Sequence, residues 1–240
     1  MIELFYWPTP NGHKIRIFLE EAALRYEVSP INIRQGDQFA EAFLRVSPNN
    51  KIPAIIDHAP AFGNTPLSLF ESGVILQYLA EKTGTFLPSD PVGRINVMQW
   101  LFWQAGGLGP MAGQNAHFRI YAPEKIAYAI QRYENETARL YSVLNQQLSA
   151  REYIAGDYSI ADMAAYPWVA CHDVHGQNLA AFPHLSRWFT QIAGRPAVQR
   201  AYQLAEFIDS QTAMSPAQWQ QLFAQNAATV STASALPFAA

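Results

Sequence analysis

Two short apolar runs, Ile52–Asp57 and Ser68–Phe70, flank the turn-rich segment Ala59-Pro60-Ala61-Phe62-Gly63-Asn64. They are close enough in sequence to pair antiparallel. The first is entered through Ile52-Pro53 after the polar turn Asn49-Asn50-Lys51, and the second stops at Glu71-Ser72, where helical periodicity resumes. A proline entering a strand cannot donate to the ladder and restricts the residue before it. A cis Ile52–Pro53 bond would turn the Ile52 backbone outward at a fixed angle, where it can pair with an extended peptide. Glu71-Ser72 at a helix start brings a carboxylate close to orphan N–H groups. Facing each other across neighbouring strands, the two features predict a site that holds a small peptide-like ligand by its backbone and its charged end.

The residues before this stretch give it a frame. Ile2 to Trp7 is an apolar, aromatic run closed by Pro8-Thr9-Pro10-Asn11-Gly12. Ile15, Phe18, Leu19 and Ala22 then repeat on one helical face, with Asn11-Gly12 as the cap region. Tyr26–Ile33 reads as a second strand, Gln35-Gly36-Asp37-Gln38 as a loop, and Phe39–Val46 as a short helix stopped by Ser47-Pro48. A strand–helix–strand must cross over into a parallel pair. With the two antiparallel strands and a helix that resumes at Val74 and stops at Thr83-Gly84 added, the order predicts a small mixed sheet covered by helices, the thioredoxin-like topology.

Beyond Gly84–Pro91, the best linker segment, the chain reads as helical almost throughout. Ile95–Gln104 carries Trp100, Phe102 and Trp103, a cluster that reads as core or subunit interface; Gly106-Gly107-Leu108-Gly109-Pro110 must break or kink that helix. A long helix runs from Glu124 to Leu148, with Ala127, Ile130, Tyr133, Leu140 and Leu144 as candidate buried positions. Ser159-Ile160-Ala161-Asp162 resembles a capping box with Asp in place of Glu or Gln, opening a helix that reaches about Cys171. Pro183–Gly194 and Ala197–Leu204 are two further helices, and from Asp209 onward periodicity fades apart from an amphipathic turn at Trp219–Phe223. The boundaries are thus a thioredoxin-like domain over 1–83, a linker over 84–91, an all-helical domain over 92–208 and an extended or mobile tail over 209–240.

Composition narrows the function classes. A net charge of -3 over 240 residues gives no electrostatic reason to expect nucleic acid or an anionic membrane as partner. No apolar run is long enough to span a bilayer and no signal-peptide pattern opens the chain, so the expected location is cytoplasmic. The single cysteine, Cys171, allows neither an intramolecular disulfide nor a CxxC motif. His172 and His175 stand three apart, but two histidines alone do not make a metal site, and no metal is expected.

The order of these elements and their junctions resembles the cytosolic glutathione transferases over residues 1 to 208. The motifs that carry it are Ser47-Pro48 with Lys51-Ile52-Pro53-Ala54, Glu71-Ser72 opening a helix, and Ser159-Ile160-Ala161-Asp162. Within that superfamily the chain is most similar to the bacterial Nu-class group related to the yeast nitrogen-regulator prion protein. The likeness rests on Thr9-Pro10-Asn11-Gly12-His13-Lys14, Gly36-Asp37-Gln38-Phe39 and Gly106-Gly107-Leu108-Gly109-Pro110-Met111. It implies a homodimeric enzyme that binds glutathione or its disulfide, reduces disulfides with glutathione as cosubstrate, and acts more weakly as a transferase on small electrophiles and as a peroxidase.

The resemblance also implies residue roles. Where a thioredoxin-fold redox protein has its cysteine, this chain reads Trp7-Pro8-Thr9-Pro10-Asn11, so the reactive thiol must come from the ligand. A free thiol titrates near ~8.5, and a helix N-terminus with hydrogen-bond donors lowers that value. Spacing alone makes Asn11 a helix cap; the resemblance makes Thr9 and Asn11 the pair that stabilises the thiolate. Tyr6 is the rival hydroxyl, on a strand where it reads as packing. Ile52 would offer its backbone to the cysteinyl part of glutathione, with Pro53 as its lock. Glu71 would take the γ-glutamyl ammonium and Ser72 the adjacent carboxylate, while Gln38 would reach the glycyl end. Arg132, which by itself reads as a solvated helix-face charge, would help to hold glutathione, and Phe118 would form part of an apolar cosubstrate wall. The alternative is a non-catalytic regulatory or binding protein on the same fold; the missing Asn/Gln-rich extension of the prion relative favours an enzyme. An isomerase of the maleylacetoacetate type needs a Ser-rich helix start that Pro8-Thr9-Pro10-Asn11 does not match.

Overall fold

The computed structural model describes residues 1–203, 214–227 and 229. Two compact units emerge, one made of residues 1–75 with the described residues from 200 onward and the other of residues 76–199. The first is built on a four-stranded mixed sheet: β1 (Ile2–Tyr6), β2 (Tyr26–Pro30), β3 (Ala54–Asp57) and β4 (Leu67–Phe70), in the order β2-β1-β3-β4. β1 and β2 run parallel, as the intervening helix requires, while β3 pairs antiparallel with both β1 and β4. That is the thioredoxin-like topology expected from the element order.

Alternation places the strands. Ile2, Leu4 and Tyr6 of β1 are buried on one face, as the period of two demands. On the other face Ile31, Phe43, Val46 and Ala54 form a core cluster with Phe5, Ile52, Ile56 and Phe70. The crossover helix α1 (Pro10–Glu21) is buried at every position from Gly12 to Leu19. Its sequence stripe of Ile15, Phe18 and Leu19 is therefore only part of a helix that is enclosed all round, with His13, Lys14 and Arg16 inside as well. The predicted helix over 39–46 resolves into a single 3-10 turn, Asp37–Phe39, and a one-turn helix α2 (Glu41–Leu44).

Helix α3 (Ser72–Thr83) closes the first stretch of the chain. The second unit contains α4 (Pro91–Trp103), α5 (Gly109–Ala116), α6 (Ala127–Gln147), α7 (Ile160–Val169) and α8 (Pro183–Ala193). Asp90 caps α4 by accepting from the Gly93 N–H at 2.8 Å. The expected break or kink at 106–110 takes the form of a widened π turn, Gln104–Leu108, through which α4 passes into α5, and a second π turn, His117–Tyr121, follows α5. A π turn shifts the hydrogen-bond register by one residue, which accommodates Pro110 without ending the helix. On α6 Leu140 and Leu144 are buried as expected, but Ala127 is exposed and Ile130 and Tyr133 are only half-buried, so the core begins one turn later, at Thr137. The predicted capping box is present: Asp162 Oδ2 accepts from the Ser159 N–H at 3.0 Å and opens α7, nearly all of which is buried.

α9 (Pro196–Gln203) brings the chain back to the first unit, where α10 (Pro216–Phe223) also belongs. The amphipathic turn expected at 219–223 is the end of α10. For the rest of the expected tail, residues 209–213, 228 and 230–240 lie outside the described residues. Among the described residues no helix is long and apolar enough to cross a membrane.

Candidate active site

The Ile52-Pro53 turn and the Glu71-Ser72 helix start meet in one cavity of about 170 Å³ in the first unit. Asn11, Ile52, Pro53, Glu71 and Ser72 line it, joined by Ser47, Asn49, Lys51 and Phe70. Three pieces of backbone make this wall: the start of α1, the turn into β3 and the turn from β4 into α3.

At the start of α1, Thr9 is extended (φ −126, ψ 161) and its Oγ1 accepts from the Gly12 N–H at 3.2 Å. Thr9 is thus the cap, Pro10 the first helical residue, and Asn11 lies inside the first turn, which overturns the reading of Asn11 as the cap. The Thr9 hydroxyl spends a lone pair on the cap and still carries its own O–H donor. Gly12 is required by close approach: a Cβ there would stand 2.3 Å from the Trp7 carbonyl oxygen.

The turn into β3 has a cis Ile52–Pro53 bond. The strand ladder begins at Ala54, so Ile52 stays outside it while lining the cavity. Ser47 is fully buried and donates to the Lys51 carbonyl at 2.8 Å, and the Asn50 N–H closes the turn onto the Ser47 carbonyl at 2.9 Å. These bonds fix the peptide that precedes Ile52. Lys51 itself donates to Gln225 Oε1 at 3.1 Å.

At the turn into α3, Glu71 has a left-handed backbone, φ 68, which a non-glycine residue adopts only where the surroundings impose it. Its carbonyl accepts the first helical bond, from the Ile75 N–H at 2.9 Å, and its Oε1 takes the Asn49 amide at 3.5 Å. The Ser72 Oγ accepts from the Lys14 ammonium at 3.2 Å. Lys14 is buried, and desolvation pulls it down to about 7, with Glu71 pulling the other way.

Not every expected site residue joins this wall; Thr9, which caps α1 two residues before Asn11, is not among the residues that line it. Gln38 is buried, with its Nε2 on the Ile33 carbonyl at 3.1 Å and its Oε1 without a hydrogen-bond partner; it is not part of the lining. Arg132 belongs to the second unit, where it is exposed and pairs with Glu136 at 3.8 Å. Phe118 stacks on Tyr133 at 5.5 Å within that unit. The Tyr6 hydroxyl is engaged with His13 Nδ1 at 3.3 Å, and burial pushes it up to about 12. Burial likewise pushes the Cys171 thiol up to about 11, the wrong direction for a nucleophile at neutral pH. Ser47, Asn49, Lys51 and Phe70 were not expected as lining. The signal for the first three was their place beside Ile52-Pro53; Phe70 reads simply as a strand residue. Among the described residues there is no group of three or more side chains able to hold a metal ion.

A thioredoxin-like sheet whose cis-proline turn and strained helix start face one polar cavity, followed by an all-helical unit, defines a class of protein. The chain belongs to the glutathione S-transferase family: residues 1–81 match its N-terminal domain and residues 108–196 its C-terminal domain. Among its relatives is the disulfide-bond oxidoreductase YfcG of Escherichia coli, 53% identical over 213 residues that cover 88% of this chain and 99% of that protein. The transcriptional regulator URE2 of Saccharomyces cerevisiae is 34% identical over 232 residues, covering 80% of this chain and 64% of its own. A crystal structure of a glutathione transferase from Pseudomonas putida, with one glutathione disulfide bound per subunit, superposes with a TM-score of 0.80 at 42% identity, covering 85% of this chain and 91% of that one.

Proposed function

We propose that the protein is a glutathione-dependent disulfide-bond reductase that uses the thiolate of bound glutathione, with weaker transferase and peroxidase activity. The observation that carries this is the cavity itself: it has a backbone edge at Ile52, a carboxylate and a hydroxyl at a helix start, and Asn11 at the start of α1. The relative named as a disulfide-bond oxidoreductase and the solved relative that holds glutathione disulfide support the choice of ligand.

In this reading Ile52 pairs with the cysteinyl backbone and Pro53 holds it in place. Glu71 takes the γ-glutamyl ammonium, and Ser72 with the first N–H groups of α3 takes the carboxylate. The thiol then lies toward the start of α1. There the Asn11 amide and the Thr9 O–H donate to sulfur and favour the thiolate, helped by the positive end of the helix. The thiolate attacks one sulfur of the substrate disulfide, forming a mixed disulfide with glutathione and releasing the other sulfur as thiolate, which takes a proton. A second glutathione thiolate attacks the glutathione sulfur of the mixed disulfide, which leaves glutathione disulfide and the second substrate thiol. Two electrons pass from two glutathiones to one disulfide, and Cys171 takes no part.

Gln38 at the glycyl end and Arg132 as a further contact complete the assignment. A cytoplasmic location and a homodimer complete the setting; Val92, Ile95 and Phe102 lie along α4 with exposures of 79%, 65% and 69%, an apolar stripe suited to a partner subunit. Turnover of a small mixed disulfide with glutathione, alongside an aryl-halide conjugation assay, tests the activity. Asn11→Ala and Thr9→Ala should each lower the reductase rate by about tenfold or more with the fold intact. Unchanged turnover in both would remove their roles. Tight glutathione binding with neither activity would favour the regulatory reading.

A further inference from the structure

Lys14 has no part in the reaction above, yet it is a charged side chain only 3% exposed. It follows Asn11 by three positions on α1, so the two side chains are neighbours on the helix surface. Its ammonium reaches the Ser72 hydroxyl from behind the cavity wall, and Ser72 lines the cavity. The cavity side of this corner carries the carboxylate of Glu71, which by itself repels an anionic ligand group. Lys51, the other cation of the wall, is turned to Gln225. A buried ammonium beside Ser72 is therefore the positive charge placed to offset Glu71 there.

We propose that Lys14 is the positioning residue that makes the Ser72 end of the cavity selective for a ligand carboxylate. The inference rests on the glutathione reading, in which that group is the α-carboxylate of the γ-glutamyl residue. An amino-acid head group is a zwitterion, and the wall meets it with Glu71 for the ammonium and Lys14, through Ser72, for the carboxylate. Burial costs an ammonium dearly, and an anion brought to Ser72 lowers that cost.

The test uses S-methylglutathione, whose sulfur cannot react, and its analogue with 4-aminobutyryl in place of γ-glutamyl, which lacks only the α-carboxylate. Both are titrated by calorimetry into the wild-type protein and Lys14→Met. The wild type should prefer S-methylglutathione by about tenfold or more, the scale of a charge-assisted contact. In Lys14→Met that preference should fall to about threefold or less, with affinity for the analogue little changed. An unchanged preference, or an equal loss on both ligands, overturns the proposal. Should Lys14→Met not fold, Lys14→Gln keeps a donor toward Ser72 without the charge and is read in the same way. A wild type that does not distinguish the two ligands also overturns the proposal without any variant. A wild type that binds neither ligand removes the glutathione reading itself, a different result from binding both equally.

Discussion

Glu71 sits in the left-handed region, φ 68, with its carboxylate taking the Asn49 amide. Glycine adopts that conformation without the steric cost, so Glu71→Gly should raise the unfolding free energy by up to about 1 kcal/mol. The same change removes the carboxylate that lines the cavity and should weaken glutathione binding by about tenfold or more. Urea unfolding and calorimetry on the one variant read both effects, and a loss of stability would show that the contacts of the Glu71 side chain outweigh its backbone strain. Ile52-Pro53 and Glu71-Ser72 were legible as a site because proline at a strand entrance and an acid at a helix start each restrict the backbone locally. Lys14 was not: a lysine in the middle of an amphipathic pattern reads as solvent-facing. Only the enclosure of α1 on all sides, which depends on contacts distant in sequence, puts it inside.

Among the elements, the start of α7 was read correctly because local chemistry fixes it. Ser159 with Asp162 opens α7, and the aspartate is shorter than the usual glutamate for a structural reason. While Oδ2 completes the box, Oδ1 accepts from the Ile154 N–H at 3.0 Å and from the Trp188 indole at 2.8 Å. One carboxylate ties the loop before α7, the cap of α7 and the middle of α8. Asp162→Ala should then cost about 3 kcal/mol or more, beyond the ~1 kcal/mol of an ordinary cap. A thermal or urea melt checks this, and a loss near the ordinary value would reduce Asp162 to a cap. The segment 106–110 was read as a break or a kink because Gly-Gly and Pro signal interruption by local rules. The π turn at Gln104–Leu108 takes up this interruption with the helix continuing, a register change that packing selects and composition does not announce.

At the scale of the whole molecule each unit holds a buried neutral histidine, His13 in the first and His175 in the second, both lowered to about 4 chiefly by desolvation. The unfolded chain takes up these protons near its ordinary value of 6.5 while the native state refuses them until about 4. Stability from this source is complete above about 6.5 and is lost as pH falls toward 4, by on the order of 3 kcal/mol per histidine at most. His175→Gln should flatten that slope in urea titrations between pH 7 and pH 4, and an unaltered slope would assign the acid loss to other groups. Residues 200–203 share one unit with residues 1–75. The Arg16 guanidinium, buried on α1, donates to the Ala201 carbonyl at 2.7 Å and, at 3.5 Å, to the Arg200 carbonyl; Arg200 reaches back to Glu20 at 2.8 Å, and His13 stacks on Tyr202 at 3.9 Å. The thioredoxin-like unit is therefore discontinuous in sequence. During synthesis it has to wait, with part of its buried polar network unsatisfied, until the entire helical unit has left the ribosome. A fragment ending at Thr83 should for the same reason give a poorly dispersed amide spectrum. This unit is closed by residues 200–202, which are made after the helical unit, so its order of assembly is not its order of translation.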